Sequence, residues 1–264
     1  VRRKATRHVV VDIGNTRIKF AAVHRGRFEA GRLARLPADD PASWSEQLRL
    51  WRTPLVAGWE VASVHPERLA QLKEWIADRG EPVRVVNHFR QVPVKLNVEF
   101  PDRVGLDRLL NALAVTDFLP KGTPAVVIDV GTAVTIDWLD EWHVFQGGAI
   151  LPGPRLMFES LHRETAKLPL VDSHAVPEVD LPGKNTRHAM DAGVMAAQLG
   201  AAEYLVREYA RPAVNPPWVI LTGGALGAMA DFNFPDVGHC RTDPLLTLRG
   251  IRLAAMTIPS EGSP

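Results

Sequence analysis

The sequence has one cysteine, Cys240, so it can form no internal disulfide and offers no cysteine cluster for zinc, a usage that fits a reducing cytoplasm. Its nine histidines fall in no HExxH or other paired-ligand spacing. Neither sign of charge is in excess: 31 Lys and Arg against 30 Asp and Glu leave a net +1, which argues against a nucleic-acid partner. The basic lead of Arg2, Arg3, Lys4 and Arg7 reads as a solvated terminus. No apolar run approaches the ~20 residues of a membrane span and no signal-peptide pattern precedes the first strand, so a cytoplasmic protein without a membrane partner is expected. The chain starts at Val1 rather than Met, so a few native residues are expected ahead of it. GxxxxGK[ST] and GxGxxG are both absent, which removes the P-loop and dinucleotide-fingerprint routes to phosphate binding.

What is present is a repeated grammar. Val9-Val10-Val11-Asp12-Ile13-Gly14-Asn15-Thr16-Arg17-Ile18-Lys19 reads as a buried strand, a glycine turn carrying an acid and small polar residues, and the start of a second strand. Val126-Val127-Ile128-Asp129-Val130-Gly131-Thr132-Ala133-Val134 repeats it nearly half a chain later. In such a turn the glycine lets backbone N–H groups approach an anion, Asn15 or Thr132 adds a side-chain hydrogen bond, and the Asp can hold a cation beside the anion. One copy would pass for an ordinary hairpin, since Asp and Gly are common turn residues. Two copies, each opening one half, favour a polyphosphate clamp.

With 264 residues, 46% of them hydrophobic, two domains of about 100 to 150 residues are expected. The boundary is placed at Pro120-Lys121-Gly122-Thr123-Pro124, giving domains 1–121 and 122–264. After the first hairpin the pattern predicts strands over 27–33, 60–64 and 83–86, and helices over 44–51, 67–79 and 106–118, with a less regular stretch at 96–100. The second half predicts strands over 125–129, 134–139, 144–150 and 218–221. Its helices are expected from after Gly153 to about 166 and over 186–209 and 245–256, with a proline-punctuated loop at 169–183 and a disordered tail from 259. Two βββαβα-like halves make an α/β protein with ligand bound in the cleft between its lobes.

Four further stretches carry chemistry. Gly105-Leu106-Asp107-Arg108 sets an acid and a guanidinium at a helix start, where the dipole favours a carboxylate; simple capping by Asp107 would read the same way. Gly147-Gly148-Ala149-Ile150-Leu151-Pro152-Gly153 exposes backbone ahead of a helix, and Asn185-Thr186 stands where an N-cap belongs. Thr222-Gly223-Gly224-Ala225 follows a strand and is expected to open a helix.

This ordered set, with Thr165-Ala166-Lys167-Leu168-Pro169, spans nearly the whole chain and resembles the type III pantothenate kinases, within the superfamily of acetate and sugar kinases, heat-shock chaperone ATPases and actin. The resemblance implies two ribonuclease H-like (actin-like ATPase) lobes. It implies that Asp12, Ile13, Gly14, Asn15, Thr16, Arg17, Ile18 and Lys19 bind ATP, joined by Thr132, with Asp12 helping to place Mg²⁺. Asp129 would hold a monovalent cation, K⁺ or NH₄⁺. Gly105, Leu106, Asp107, Arg108 and Thr186 would bind pantothenate, with Asp107 as proton acceptor. A homodimer is implied, its interface expected to include the helix after Gly105.

Two positions depart from the family. Val98 stands where a Tyr is frequent, so that substrate contact is lost or passes to Phe100, and Ala225 replaces the acid that usually follows Thr-Gly-Gly. A non-catalytic nucleotide-binding regulator, like the accessory factors for virulence gene expression, is the competing class; the presence of Asp12, Asp107 and Asp129 weighs against it. Another small-molecule kinase or a phosphohydrolase is the third, disfavoured because an Arg beside the base suits a carboxylate-bearing substrate.

Overall fold

A computed structural model describes residues 7–14, 17–171 and 181–260. The expectations for Asn15 and Thr16, for most of the 169–183 loop and for the last four residues lie outside the described residues. In chain order the elements are β1 (Arg7–Ile13), β2 (Arg17–His24), β3 (Arg27–Pro37), α1 (Pro41–Leu50), β4 (Gly58–Ser63), α2 (Pro66–Asp78), β5 (Val83–Val86), β6 (Lys95–Leu96) and α3 (Leu106–Phe118). There follow β7 (Ala125–Val130), β8 (Ala133–Leu139), β9 (Val144–Pro152), α4 (Pro154–Arg163), α5 (Thr186–Ala210), β10 (Trp218–Gly223), β11 (His239–Thr242) and α6 (Leu246–Ala255).

The chain forms two compact units. The first comprises residues up to Val94, Phe100–Asp117 and everything from Leu246 on; the second comprises Lys95–Glu99 and Phe118–Leu245. The sheet of the first unit runs β3-β2-β1-β4-β5, and that of the second runs β11-β10-β7-β8-β9-β6. Apart from the short added β6, the two orders are the same: an antiparallel three-strand meander with two parallel strands on the far side of its first strand. The repeated sequence grammar is thus a repeated topology.

In the first unit the alternation of β1 decides the layers. Val9, Val11 and Ile13 face a core with Trp44 and Leu48 of α1 and Leu72 and Ile76 of α2, where Phe20, Trp59 and Trp75 meet edge to face. Asp40 caps α1 by accepting the N–H groups of Ala42 and Ser43 ahead of Pro41 at its first position. Val10 and its parallel neighbour Glu60 point to the other face, where Arg252 of α6 binds Glu60. Helix α3 lies against α6 so closely that a Cβ on Gly250 would meet the Leu110 carbonyl. Every residue of α3 from Leu109 to Val115 is buried within the single chain. Only the ends of α3, residues 106–108 and 116–118, are left partly accessible.

In the second unit Val126, Ile128 and Val130 of β7 and Val134, Ile136 and Trp138 of β8 face α5 through Ala202 and Val206. Two expectations need correction. The Thr222-Gly223-Gly224 stretch opens no α-helix: Gly223 has φ +108° and Ala225 donates to the Val130 carbonyl at 3.0 Å, so the chain turns back onto β7, and only a short 3₁₀ turn follows at Gly227–Asp231. Helix α4 stops at Arg163, three residues early.

Candidate active site

In the first unit Asp12 and Lys19 face each other across the β1–β2 register, and the Lys19 ammonium donates to the Asp12 carboxylate at 3.0 Å. Gly14 follows at the strand end, with its N–H on the Arg17 carbonyl at 3.1 Å. Arg17 is exposed, Ile18 is buried in the core, and Ile13 is likewise a core residue. Of the run from Asp12 to Lys19, then, Asp12, Gly14, Arg17 and Lys19 are the described residues that can meet a ligand, while Ile13 and Ile18 anchor the hairpin.

Asp107 lies in the same unit. The Gly105 carbonyl accepts the first N–H groups of α3, from Arg108 and Leu109, and the Asp107 carboxylate curls back to accept the Arg108 N–H at 2.9 Å. Glycine is needed at 105 for this: a Cβ there would sit 2.6 Å from the Asp107 carboxylate oxygen. Burial pushes the Asp107 carboxyl above the usual aspartate range; the Arg108 N–H pulls it down, the negative charge of Asp12 raises it, and the Arg108 charge lowers it. Two carboxylates that feel each other, with a lysine on one and an arginine beside the other, make a place for a phosphate and a proton. Phe100, named as a substitute contact, is half exposed beneath the Arg103 guanidinium, 4.7 Å from its ring centre.

In the second unit Asp129 pairs with Thr135 on one side and Thr222 on the other, which is the place Asp12 takes in the first. Gly131 donates to the Ala133 carbonyl at 3.0 Å, and the Thr132 carbonyl accepts the Gly153 N–H at 3.0 Å. A Cβ on Gly153 would lie 2.3 Å from the Gly131 carbonyl, and one on Gly223 the same distance from that of Val130. The Gly147–Gly153 stretch and the Thr222–Ala225 loop are thereby strapped to the Asp129 turn by backbone contact that only glycine permits. Gly148, farther back on β9, lies against the carbonyl of Ile136 and the side chain of Asp137 on β8. Asn185 caps α5 by accepting the His188 N–H at 2.8 Å, which leaves Thr186 exposed at the helix start. Val98 packs 3.7 Å from the Gly147 Cβ position.

Sequence patterning missed Arg68. Its place on α2 sits between the inward positions, yet its guanidinium donates to the Gly14 carbonyl at 3.1 Å, across 54 residues of sequence.

The sequence model for type III pantothenate kinase matches residues 8–208, a stretch that holds all the residues above except the Thr222–Ala225 loop. The chain belongs to the type III pantothenate kinase family. Among relatives of that name, one from Rhodospirillum centenum is 32% identical over 261 residues, covering 93% of this chain and 96% of the relative. One from Rhodopirellula baltica is 41% identical over 152 residues, covering 56% of this chain, and one from Listeria innocua is 36% identical over 161 residues, covering 61%. The chain spans 53% and 59% of the lengths of these last two.

Solved structures agree on the fold. A Baf family protein from Campylobacter jejuni superposes with a TM-score of 0.59 at 19% identity, over 94% of this chain and 98% of its own. A propionate kinase from Francisella tularensis gives 0.52 at 8% identity, over 96% and 100%. This type III pantothenate kinase family member thus has the actin-like ATPase fold, two mixed α/β sheets of five and six strands. Among the described residues no helix is long and apolar enough to cross a membrane.

Proposed function

We propose that the protein transfers the γ-phosphoryl group of ATP to the 4′-hydroxyl of pantothenate, giving 4′-phosphopantothenate, the first step toward coenzyme A. The observation that carries this reading is Asp107: a partly buried carboxylate with a raised pKa, beside Arg108 and within electrostatic reach of Asp12. In phosphoryl transfer the protein mainly positions the hydroxyl and stabilises charge on the transferred group. Asp107 takes the hydroxyl proton, Arg108 and Thr186 hold the pantothenate end, and the Asp12–Lys19 hairpin and Thr132 hold the nucleotide. A coupled assay of ADP release, with and without pantothenate and in potassium and sodium buffers, tests substrate, activity and cation together. ADP release indifferent to pantothenate would overturn the reading.

The residues fit the implied cations. Among the described residues no cluster of three or more His, Cys, Asp or Glu could hold a metal ion. Mg²⁺ commonly takes one or two protein carboxylates and completes its shell with phosphates and water, and Asp12 at the end of β1 supplies one. When bound, Mg²⁺ would neutralise charge on the phosphates. Asp129, near the carboxyl end of β7, would give a monovalent cation one carboxylate, with backbone carbonyls needed to complete the shell. Asp129→Ala is expected to remove the potassium dependence along with most of the rate; unchanged rates and an unchanged potassium response in steady-state assays would refute the assignment.

We infer a homodimer as well, from family membership. Sedimentation should give twice the 29.1 kDa chain mass at micromolar concentration; a fully active monomer would count against it.

A further inference from the structure

We propose that Arg68 is a positioning residue for the ATP phosphates, an inference that rests on the nucleotide-binding part of the reading above. Strands β1 and β4 are parallel neighbours, and Ile13 stands beside Ser63 at their carboxyl ends, where ligands of open α/β sheets bind. The Val64 N–H reaches the Ile13 carbonyl at 3.4 Å. The Ser63 hydroxyl closes the next turn, accepting the His65 N–H and donating to the His65 carbonyl, each at 2.9 Å. Pro66 then starts α2, so residue 68 falls in its first turn, next to the Asp12-x-Gly14 hairpin.

From there Nη1 of Arg68 donates to the Gly14 carbonyl at 3.1 Å, while the Gly14 N–H is held by the Arg17 carbonyl. Both polar groups of this residue are therefore fixed. A carbonyl oxygen at a phosphate turn repels the anion unless its negative end is satisfied and held aside, and the guanidinium does this. It also brings a positive charge to a turn whose lysine, Lys19, is already engaged by Asp12. Arginine suits the role because its planar fork carries a fixed charge and can hold the carbonyl and other groups at once.

The test is a calorimetric titration of Mg·ATP into the parent, Arg68→Ala and Arg68→Lys proteins, with steady-state kinetics in both substrates and thermal melts. Arg68→Ala should weaken ATP binding and raise KM for ATP about tenfold, the worth of one hydrogen bond from a charged group. KM for pantothenate and Tm should stay close to the parent values, and Arg68→Lys should recover part of the loss. Unchanged ATP affinity in Arg68→Ala would overturn the proposal. So would a loss in both substrates together with a large fall in Tm, since that marks a structural role. If Arg68→Ala does not fold, Arg68→Lys and Arg68→Gln carry the same comparison. A parent that binds ATP but leaves pantothenate untouched would refute the proposed activity and leave the Arg68 measurement standing; a parent that binds no ATP would overturn both.

Discussion

Asp107→Asn lowers kcat by roughly 10²- to 10⁴-fold, the usual worth of a general base, while ATP binding persists. Asparagine keeps the shape and can still accept the Arg108 N–H that Asp107 accepts at 2.9 Å. A residue that only capped α3 would therefore survive the change with its rate intact. The pH profile separates the roles further. Burial first, and the charge of Asp12 among the lesser causes, hold the Asp107 carboxyl above the ordinary aspartate range. The parent's rate should therefore fall on the acid side below that raised pKa, and Asp107→Asn should lack this limb.

Stability moves the other way. A carboxyl whose folded pKa is raised binds its proton more tightly in the folded state, so stability declines as pH rises from the unfolded to the folded pKa. At neutral pH the ionised group costs stability, and Asp107→Asn should melt no lower than the parent while losing its rate. Arg108→Ala gives the contrasting pattern, a raised KM for pantothenate with a smaller change in kcat, as expected for lost ground-state binding. A fully active Asp107→Asn enzyme would reduce Asp107 to a helix cap.

The placement of these candidate residues was legible in the sequence, for a physical reason. Asp12, Gly14, Asp129, Gly131, Gly105 and Asp107 all lie at ends of strongly periodic elements, where apolar alternation or helical spacing stops and turn chemistry begins. Strand β5 and helix α3 were bounded correctly for the same reason. What patterning could not supply was contact at a distance. Gly148, Gly153 and Gly223 are glycines because another segment's backbone lies where a Cβ would stand, and Arg68, one helical turn before the buried Leu72, reaches Gly14 across 54 residues of sequence. Strand β11 went unseen because His239-Cys240-Arg241-Thr242 is a mostly exposed edge strand with no apolar alternation to betray it. That α6, at the end of the chain, packs on β1 and β4 of the first unit is equally invisible to local periodicity.

That return of α6 carries a buried ion pair, and breaking it should cost stability heavily. Nη1 of Arg252 lies 2.8 Å from both carboxylate oxygens of Glu60, which is only 2% exposed, and His8 Nδ1 stands 3.4 Å from the same carboxylate. Removing one partner of a buried pair leaves an uncompensated charge and costs about 3–5 kcal/mol, more than the pair itself contributes over a well-packed apolar substitute. Arg252→Met is therefore expected to lower Tm by on the order of 10 °C in a protein of this size. The double variant Glu60→Met with Arg252→Met should recover most of that loss, because no charge is then stranded between β4 and α6. Val10 and Asp12 alternate with Val11 on β1, and Glu60 is the parallel neighbour of Val10. A loosened α6 would thus be felt on the strand that carries Asp12, and the single variant should lose activity on warming before its main unfolding transition. Urea melts of the two single variants and the double variant decide the matter. If Arg252→Met melts with the parent, the pair is solvated in solution and α6 is held by its apolar face alone.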